Sequence, residues 1–215
     1  MTSTRQKSSC IRVYPKSPDP SPDFILEGTR IPLDTSTTHL GVYRDTKCKE
    51  NTKDKIELER RTAYSLMGAG FNGKNGLKQS VKARLWSYFV VPRMLYALEV
   101  LPFSQADLKA YEAFQLKTLK QVQHLADRTS NIAALSLLGI LPIRAQLHKN
   151  TLYLHYSIIQ TPGTVEYKVA ERQLAMKLPT DLSFFSSIRR LLHTYNLPTA
   201  FQLFESPPSK EVWKL

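Results

Sequence analysis

The residues best placed for chemistry are cations that recur along one stretch of the chain. Between Asn72 and Arg93 the sequence holds five basic residues, one aromatic indole at Trp86 and no acid. The basic residues are Lys74, Lys78, Lys82, Arg84 and Arg93. On a helix, Lys82, Trp86 and Arg93 would flank the apolar face. Ammonium and guanidinium groups contact phosphates, and an indole packs on a sugar or a base. The pattern is typical of a surface that binds the backbone of a nucleic acid.

A second row of cations, Lys109, Lys117 and Lys120, falls on one face of the next predicted helix, away from its apolar residues. Charged rows of this kind are usually solvated helix faces without a ligand. The formal net charge of +12 and the missing acids over 72–93 favour a polyanionic partner, either a nucleic acid or an acidic membrane surface. Both interpretations, solvated face and phosphate-binding face, remain open on spacing alone.

Motifs that would carry catalysis are absent from the sequence. It contains no Gly-rich phosphate loop followed by Lys and Ser, no G-x-S-x-G and no H-E-x-x-H. Cys10 and Cys48 are too few for a cysteine-based zinc site or a disulfide framework. His148 and His155 share a helix face without a nearby acidic or Cys ligand, which is typical of ordinary packing or surface histidines. We therefore predict no metal site and no catalytic residue.

The most apolar run of the chain is the sixteen residues 86–101. Two charged residues and Pro92 interrupt it. A membrane span needs about 20 largely apolar residues, so we predict no membrane segment here. The start of the chain is polar and lacks the pattern of a signal segment. Together with the low cysteine count, this predicts a reducing compartment, the cytoplasm or the nucleus.

The elements that must position the cations change in character along the chain. Residues 1–23 are rich in Ser, Pro and Thr, and residues 24–45 alternate short apolar bursts with turn residues, including a hairpin with Gly28 near its turn. A charged loop follows, and beyond Ile56 the pattern is helical almost to the end. The predicted fold class is mainly α, with a short strand region at the start.

One long helix over 78–100, bent at Pro92, is expected to carry the first row of cations. At 100° per residue its predicted core face consists of Val81, Leu85, Tyr88, Phe89, Leu95 and Tyr96. The next helix begins near Ser104, a cap residue, with Asp107 three positions later.

Several segments resemble the C-terminal part of a non-LTR (LINE-type, Jockey-like) retrotransposon reverse transcriptase. "THLGVYRD" is similar to the T/Y-x-L-G-[VI] strand of that family. "ARLWSYFVVPRMLYALEVLPFSQADLKAYEAFQLKTLKQVQHL" is similar to its "LYxxFVxPRLLYGLExL" helix and the "LxxLExFQxxxLKxIQxLPxRT" segment that follows. "ALSLLGILPIRAQLHKNTL" and "SFFSSIRRLLHTYNLP" resemble the tail of invertebrate members. The pieces occur in the order and at the spacing of the family, and they cover nearly the whole chain.

The resemblance implies an organisation in three parts. Residues 1–50 would be a remnant of the palm end with short strands, 51–128 a thumb-like helical bundle, and 129–215 a C-terminal helical region. His39, Leu40 and Gly41 would lie near the primer grip. The cations named above, with Trp86, would contact the backbone of the RNA/DNA template–primer.

The resemblance also implies what this chain lacks. The parent family is an RNA-directed DNA polymerase that uses Mg²⁺ held by an aspartate near the start of the palm and an adjacent Asp-Asp pair. The matched segments lie downstream of both, so we expect this chain alone to be inactive and to hold no cofactor, with palm and fingers as missing intramolecular partners. Three hypotheses follow: a fragment that binds nucleic acid without sequence preference, a helical protein-interaction remnant, and a non-functional truncated product. Large exposed apolar patches would favour the second.

Overall fold

The computed structural model describes residues 10–11, 24–26, 28–39, 42–45, 52–73, 76–101, 105–178, 180–181 and 183–213. The chain divides into two compact units, Met1–Asp54 and Lys55–Leu215. The described residues are mainly helical, with a few short strands ahead of the first helix. This confirms the predicted fold class at that level.

The first unit contains short strands that pair in twos. Strands β1 (Cys10–Ile11) and β4 (Leu33–Asp34) are parallel, whereas β2 (Ile25–Leu26) and β3 (Thr29–Arg30) form an antiparallel hairpin. Gly28 lies in the turn of that hairpin with a φ of +76°, which a glycine adopts without steric cost. The predicted hairpin with Gly28 near its turn is therefore confirmed.

A second hairpin replaces the single strand expected around "THLGVY". Strand β5 (Ser36–His39) pairs antiparallel with β6 (Val42–Asp45), and the register places His39 opposite Val42.

The second unit is built from helices and short helical turns. Their bounds are α1 (Thr52–Met67, which begins in the first unit), α2 (Gln79–Leu85), a π-helical turn (Trp86–Val90), α3 (Val91–Leu95), a 3₁₀ turn (Leu98–Val100), α4 (Gln105–Val122), α5 (Asn131–Ser136), α6 (Ile143–Ile159), α7 (Val165–Met176), α8 (Phe184–Thr194) and α9 (Ala200–Glu205). Among the described helix starts, side-chain caps are formed by Ser183 at α8, by Thr164 at α7, and by Thr199 in a capping box with Gln202 at α9.

Apolar side chains gather in two clusters. The first draws on α1 to α5 and the start of α6, including Trp86, Tyr111 and Ile143. The second draws on the rest of α6 and on the helices that follow it, including Leu174 and Ile188. Helix α6 therefore contributes to both clusters.

The long helix predicted over 78–100 is interrupted. After α2, the chain widens into a π-helical turn, in which the amide of Val91 donates to the carbonyl of Trp86. Pro92 follows at once and has no amide hydrogen to donate. Regular helix ends at Leu95, and Ala97 has a φ of 60°. The expected disturbance at Pro92 is present, but it takes the form of a π-turn and an early helix end.

The core face predicted for this segment is wrong. Its buried side chains are instead Lys82, Trp86, Val90, Met94 and Leu98, with Leu95 the only residue of the predicted face among the buried ones. Val81, Tyr88, Phe89 and Tyr96 are exposed. A spacing of four advances about 40° per step in an α-helix. The π-turn takes more than four residues per turn, so it brings this row back toward the core.

Two buried amides, one on α4 and one directly after it, satisfy backbone groups of the next two helices and their flanks. Gln115 donates to the carbonyl of Leu141 at 3.0 Å and accepts from the amide of Ile143 at 2.8 Å. Gln123 donates to the carbonyl of Ala134, on α5, at 2.8 Å. Because a buried orphan backbone group is costly, these two side chains fix how α5 and α6 pack on α4.

Candidate nucleic-acid interface

Four of the predicted contact residues are exposed cations in the second unit. Lys78 precedes α2 and Arg84 lies on it, while Lys109 and Lys117 lie on α4. Within the described ranges, none of the four side chains has a hydrogen-bond or ion-pair partner. Their charges are thus available to a ligand.

Two other predicted contacts are cations already bound to the protein. Lys120 is half-buried, and its Nζ donates to the carbonyl of Asp127 at 2.9 Å. Arg93 is exposed, but its Nη1 donates to Oγ1 of Thr62, on α1, at 3.1 Å. Both side chains hold neighbouring segments together.

Lys82 and Trp86 lie in the core, contrary to the prediction that they flank it. Lys82 is 2% exposed, and its Nζ donates to the carbonyl of Val122 at 3.1 Å. Trp86 is 0% exposed, with its ring centroid 6.3 Å from that of Phe114. An ammonium and an indole at these positions are enclosed by protein, so we withdraw both as ligand contacts. The physical reason is the packing of this face against α4, where Lys82 meets the carbonyl of Val122 and Trp86 meets Phe114.

The remaining predicted residues fall partly outside the described ranges. Lys74, Leu40 and Gly41 lie outside them. His39 is described only in its backbone, where it pairs with Val42.

Glu59 is a functional group that the sequence reasoning missed. Its carboxylate is fully buried on α1, and neither oxygen has a hydrogen-bond partner in the described part of the chain. Burial raises the pKa of Glu59 to about 7, although the charges of Arg93 and Lys55 act in the opposite direction. The side chain therefore changes charge near neutral pH at the contact between α1 and α3.

A groove of about 390 Å³ separates α1 from α4. Arg60 and Tyr64 line it from α1, and Lys117 and Gln121 line it from α4, over a floor that includes Phe114. None of the described residues that line it is acidic. The sequence analysis predicted Lys117 as a ligand contact, but it did not predict Arg60 or Tyr64. The only sequence pattern that these two residues share is a spacing of four, which places them on one face of α1.

A second cavity, of about 420 Å³, lies among α4, α6 and α8. Arg144 projects into it but is held by Glu112, with Nε 2.7 Å from Oε1, and this ion pair raises the pKa of Arg144. Nδ1 of His148 is 2.9 Å from the hydroxyl of Tyr195, and burial lowers the pKa of His148. The polar groups of this cavity mostly satisfy one another, which is typical of a structural network.

Neither a metal-binding cluster nor a membrane-spanning helix is found among the described residues. No group of three or more His, Cys, Asp or Glu side chains is close enough there to hold a metal ion. None of the helices there combines the length and apolar character that a membrane crossing requires.

Comparison with known proteins gives no family for the chain. No family model, curated protein or solved structure matches it.

Proposed function

We propose that the chain corresponds to the thumb and following helical region of a LINE-type reverse transcriptase and binds the template–primer backbone without sequence preference. The proposal is supported by the segments that resemble that family, which occur in the family's order, and by the helices of the described residues from Thr52 onward. The observation that carries it is the set of exposed cations Lys78, Arg84, Lys109 and Lys117, which have no partner among the described residues. Phosphate contacts of this kind give affinity without reading the bases.

The test compares two variants that lose the same charge from different places. One replaces Lys78, Arg84, Lys109 and Lys117 with Gln, and the control replaces the exposed Lys149, Lys168, Arg172 and Lys210 with Gln. Anisotropy of a labelled RNA–DNA duplex measures the affinity. We expect a loss on the order of 100-fold for the first variant and less than about 3-fold for the control. Equal losses in both would indicate that only net charge matters, and no loss in either would reject the interface.

A helical protein-interaction role is the second candidate, favoured by one observation. Tyr88 is 72% exposed, and Phe89 and Tyr96 are also exposed on the same interrupted helical segment. Exposed large apolar side chains that lie close together often mark protein contacts. A second copy of the chain is the simplest partner to test. Sedimentation velocity should then show self-association that the double variant Tyr88→Ser, Phe89→Ser abolishes, and a monomer at all concentrations would contradict it.

A further inference from the structure

The groove between α1 and α4 has the shape and chemistry of a pocket for a single nucleotide. Its volume of about 390 Å³ lies within the range of ~300–1,000 Å³ that small-ligand sites occupy. Its buried lining is Phe114 and Thr118, flanked by the half-buried Ile56 and Ala110 and by the exposed Ala113. Small residues on the wall let a planar group approach the helix closely.

The charged and amide groups of the groove are exposed, whereas its threonine, Thr118, is buried. Arg60 and Lys117 are exposed and have no hydrogen-bond or ion-pair partner in the described ranges, so the groove carries two uncompensated positive charges. Gln121 adds an amide that can both donate and accept. Exposed cations and a mostly apolar lining match a ligand whose phosphate stays at the surface while its base enters.

Tyr64 supplies an aromatic surface at this groove. Its side chain is 49% exposed, and it follows Arg60 by one helical turn. A base stacks on such a ring only when its own face is free. Within a duplex both faces of a base are covered by the neighbouring base pairs, so the groove selects an unpaired nucleotide.

We propose that the groove between α1 and α4 binds one unpaired nucleotide of a single strand, with its base against Tyr64 and its phosphate between Arg60 and Lys117. This inference rests on the proposed nucleic-acid binding and deepens it. It adds a site for single-stranded nucleic acid to a surface otherwise expected to contact duplex backbone.

The experiment measures binding of a labelled short oligothymidylate and of a labelled RNA–DNA duplex to the full chain. Tyr64→Ala should weaken binding of the single strand about 10-fold and change duplex binding less than about 2-fold. Tyr64→Phe keeps the ring and should retain single-strand affinity. Tyr88→Ala removes an exposed ring outside the groove and serves as the matched control. Thermal unfolding of each variant checks that the exposed substitution leaves the fold intact.

The outcomes separate this inference from the proposed function. Unchanged single-strand binding in Tyr64→Ala, or no single-strand binding by the wild-type chain, overturns the pocket. A loss in Tyr88→Ala without a loss in Tyr64→Ala also overturns it, because the base would then lie elsewhere. The proposed function fails independently if duplex binding is absent. It also fails if replacing Lys78, Arg84, Lys109 and Lys117 leaves duplex binding unchanged. Crosslinking of a 5-iodouracil-containing strand to Tyr64 would support the pocket directly, and crosslinking confined to other residues would contradict it.

Discussion

The ammonium group of Lys82 donates a hydrogen bond to the carbonyl oxygen of Val122 at 3.1 Å inside the first apolar cluster. Val122 is the last residue of α4, and the final carbonyls of a helix have no partner within the helix. A cation at that end also offsets the negative end of the helix dipole. Lys82 therefore ties α2 to the C-terminal end of α4.

We predict that Lys82→Ala lowers the free energy of unfolding by about 3 kcal/mol, because it leaves a cavity and an orphan carbonyl. Lys82→Met fills the cavity without the donor and should cost about 1 kcal/mol. Urea unfolding measures both. Lys78→Ala, at an exposed position, should change stability by less than about 0.5 kcal/mol and instead weaken duplex binding. A Lys82→Ala protein of normal stability with reduced duplex affinity would contradict the structural role.

The buried carboxyl of Glu59 makes stability depend on pH. Its folded-state pKa of about 7 lies above the ordinary value of 4.5, so the folded state retains a proton that the unfolded state has lost. Stability from this group is therefore complete below about pH 4.5 and is lost as the pH rises through 7, by about 3 kcal/mol in all. Because the buried His155 has the opposite trend over part of this range, the test uses a His155→Phe background, in which Glu59→Gln should remove the decline in urea unfolding measured from pH 4.5 to 8. The exposed Glu57, paired with Arg61 at 2.9 Å, gives the control Glu57→Gln, which should retain the decline. A decline that survives in Glu59→Gln would show that another group causes it.

His155 should produce the opposite trend. Its ring is fully buried on α6, 5.9 Å from the ring of Phe204, and neither ring nitrogen has a partner among the described residues. Burial lowers the pKa of His155 to about 4, below the ordinary 6.5. Stability from this group is present above pH 6.5 and is lost as the pH falls toward 4, by about 3 kcal/mol. In a Glu59→Gln background, which removes the opposite trend, His155→Phe should abolish that acid loss, while the exposed His193→Phe should not. An unchanged acid loss in His155→Phe would refute the assignment.

The burial of Trp86 can be read from fluorescence. The sequence has two tryptophans, so Trp213→Phe leaves Trp86 as the only indole. We expect its emission to resist acrylamide quenching and to change little when duplex is added, since the indole lies inside the core against Phe114. Trp86→Ala should cost about 3–5 kcal/mol in urea unfolding. Strong quenching by added duplex would place the indole at the interface after all.

Local signals account for the parts of the fold that the sequence predicted well. The helical period beyond Ile56 and the turn at Gly28 depend on neighbouring residues, and the structure has both. The core face near Trp86 depends on packing against α4, which is distant in sequence, and on a π-turn that shifts the helical phase, so a uniform 100° projection selected Tyr88 and Phe89 in its place. The groove between Arg60 and Lys117 joins two helices that are distant in sequence, and no local pattern specifies that contact.

The salt dependence of duplex binding tests the central claim most directly. If Lys78, Arg84, Lys109 and Lys117 each neutralise one phosphate, the logarithm of the affinity should fall with the logarithm of salt concentration at a slope of about −3 to −4. Affinity for an RNA–DNA duplex would then drop roughly 100-fold between 50 and 200 mM salt, for any duplex sequence. A flat dependence, or no binding by a folded sample, would show that these cations are solvated helix faces and that the chain does not hold a nucleic-acid backbone.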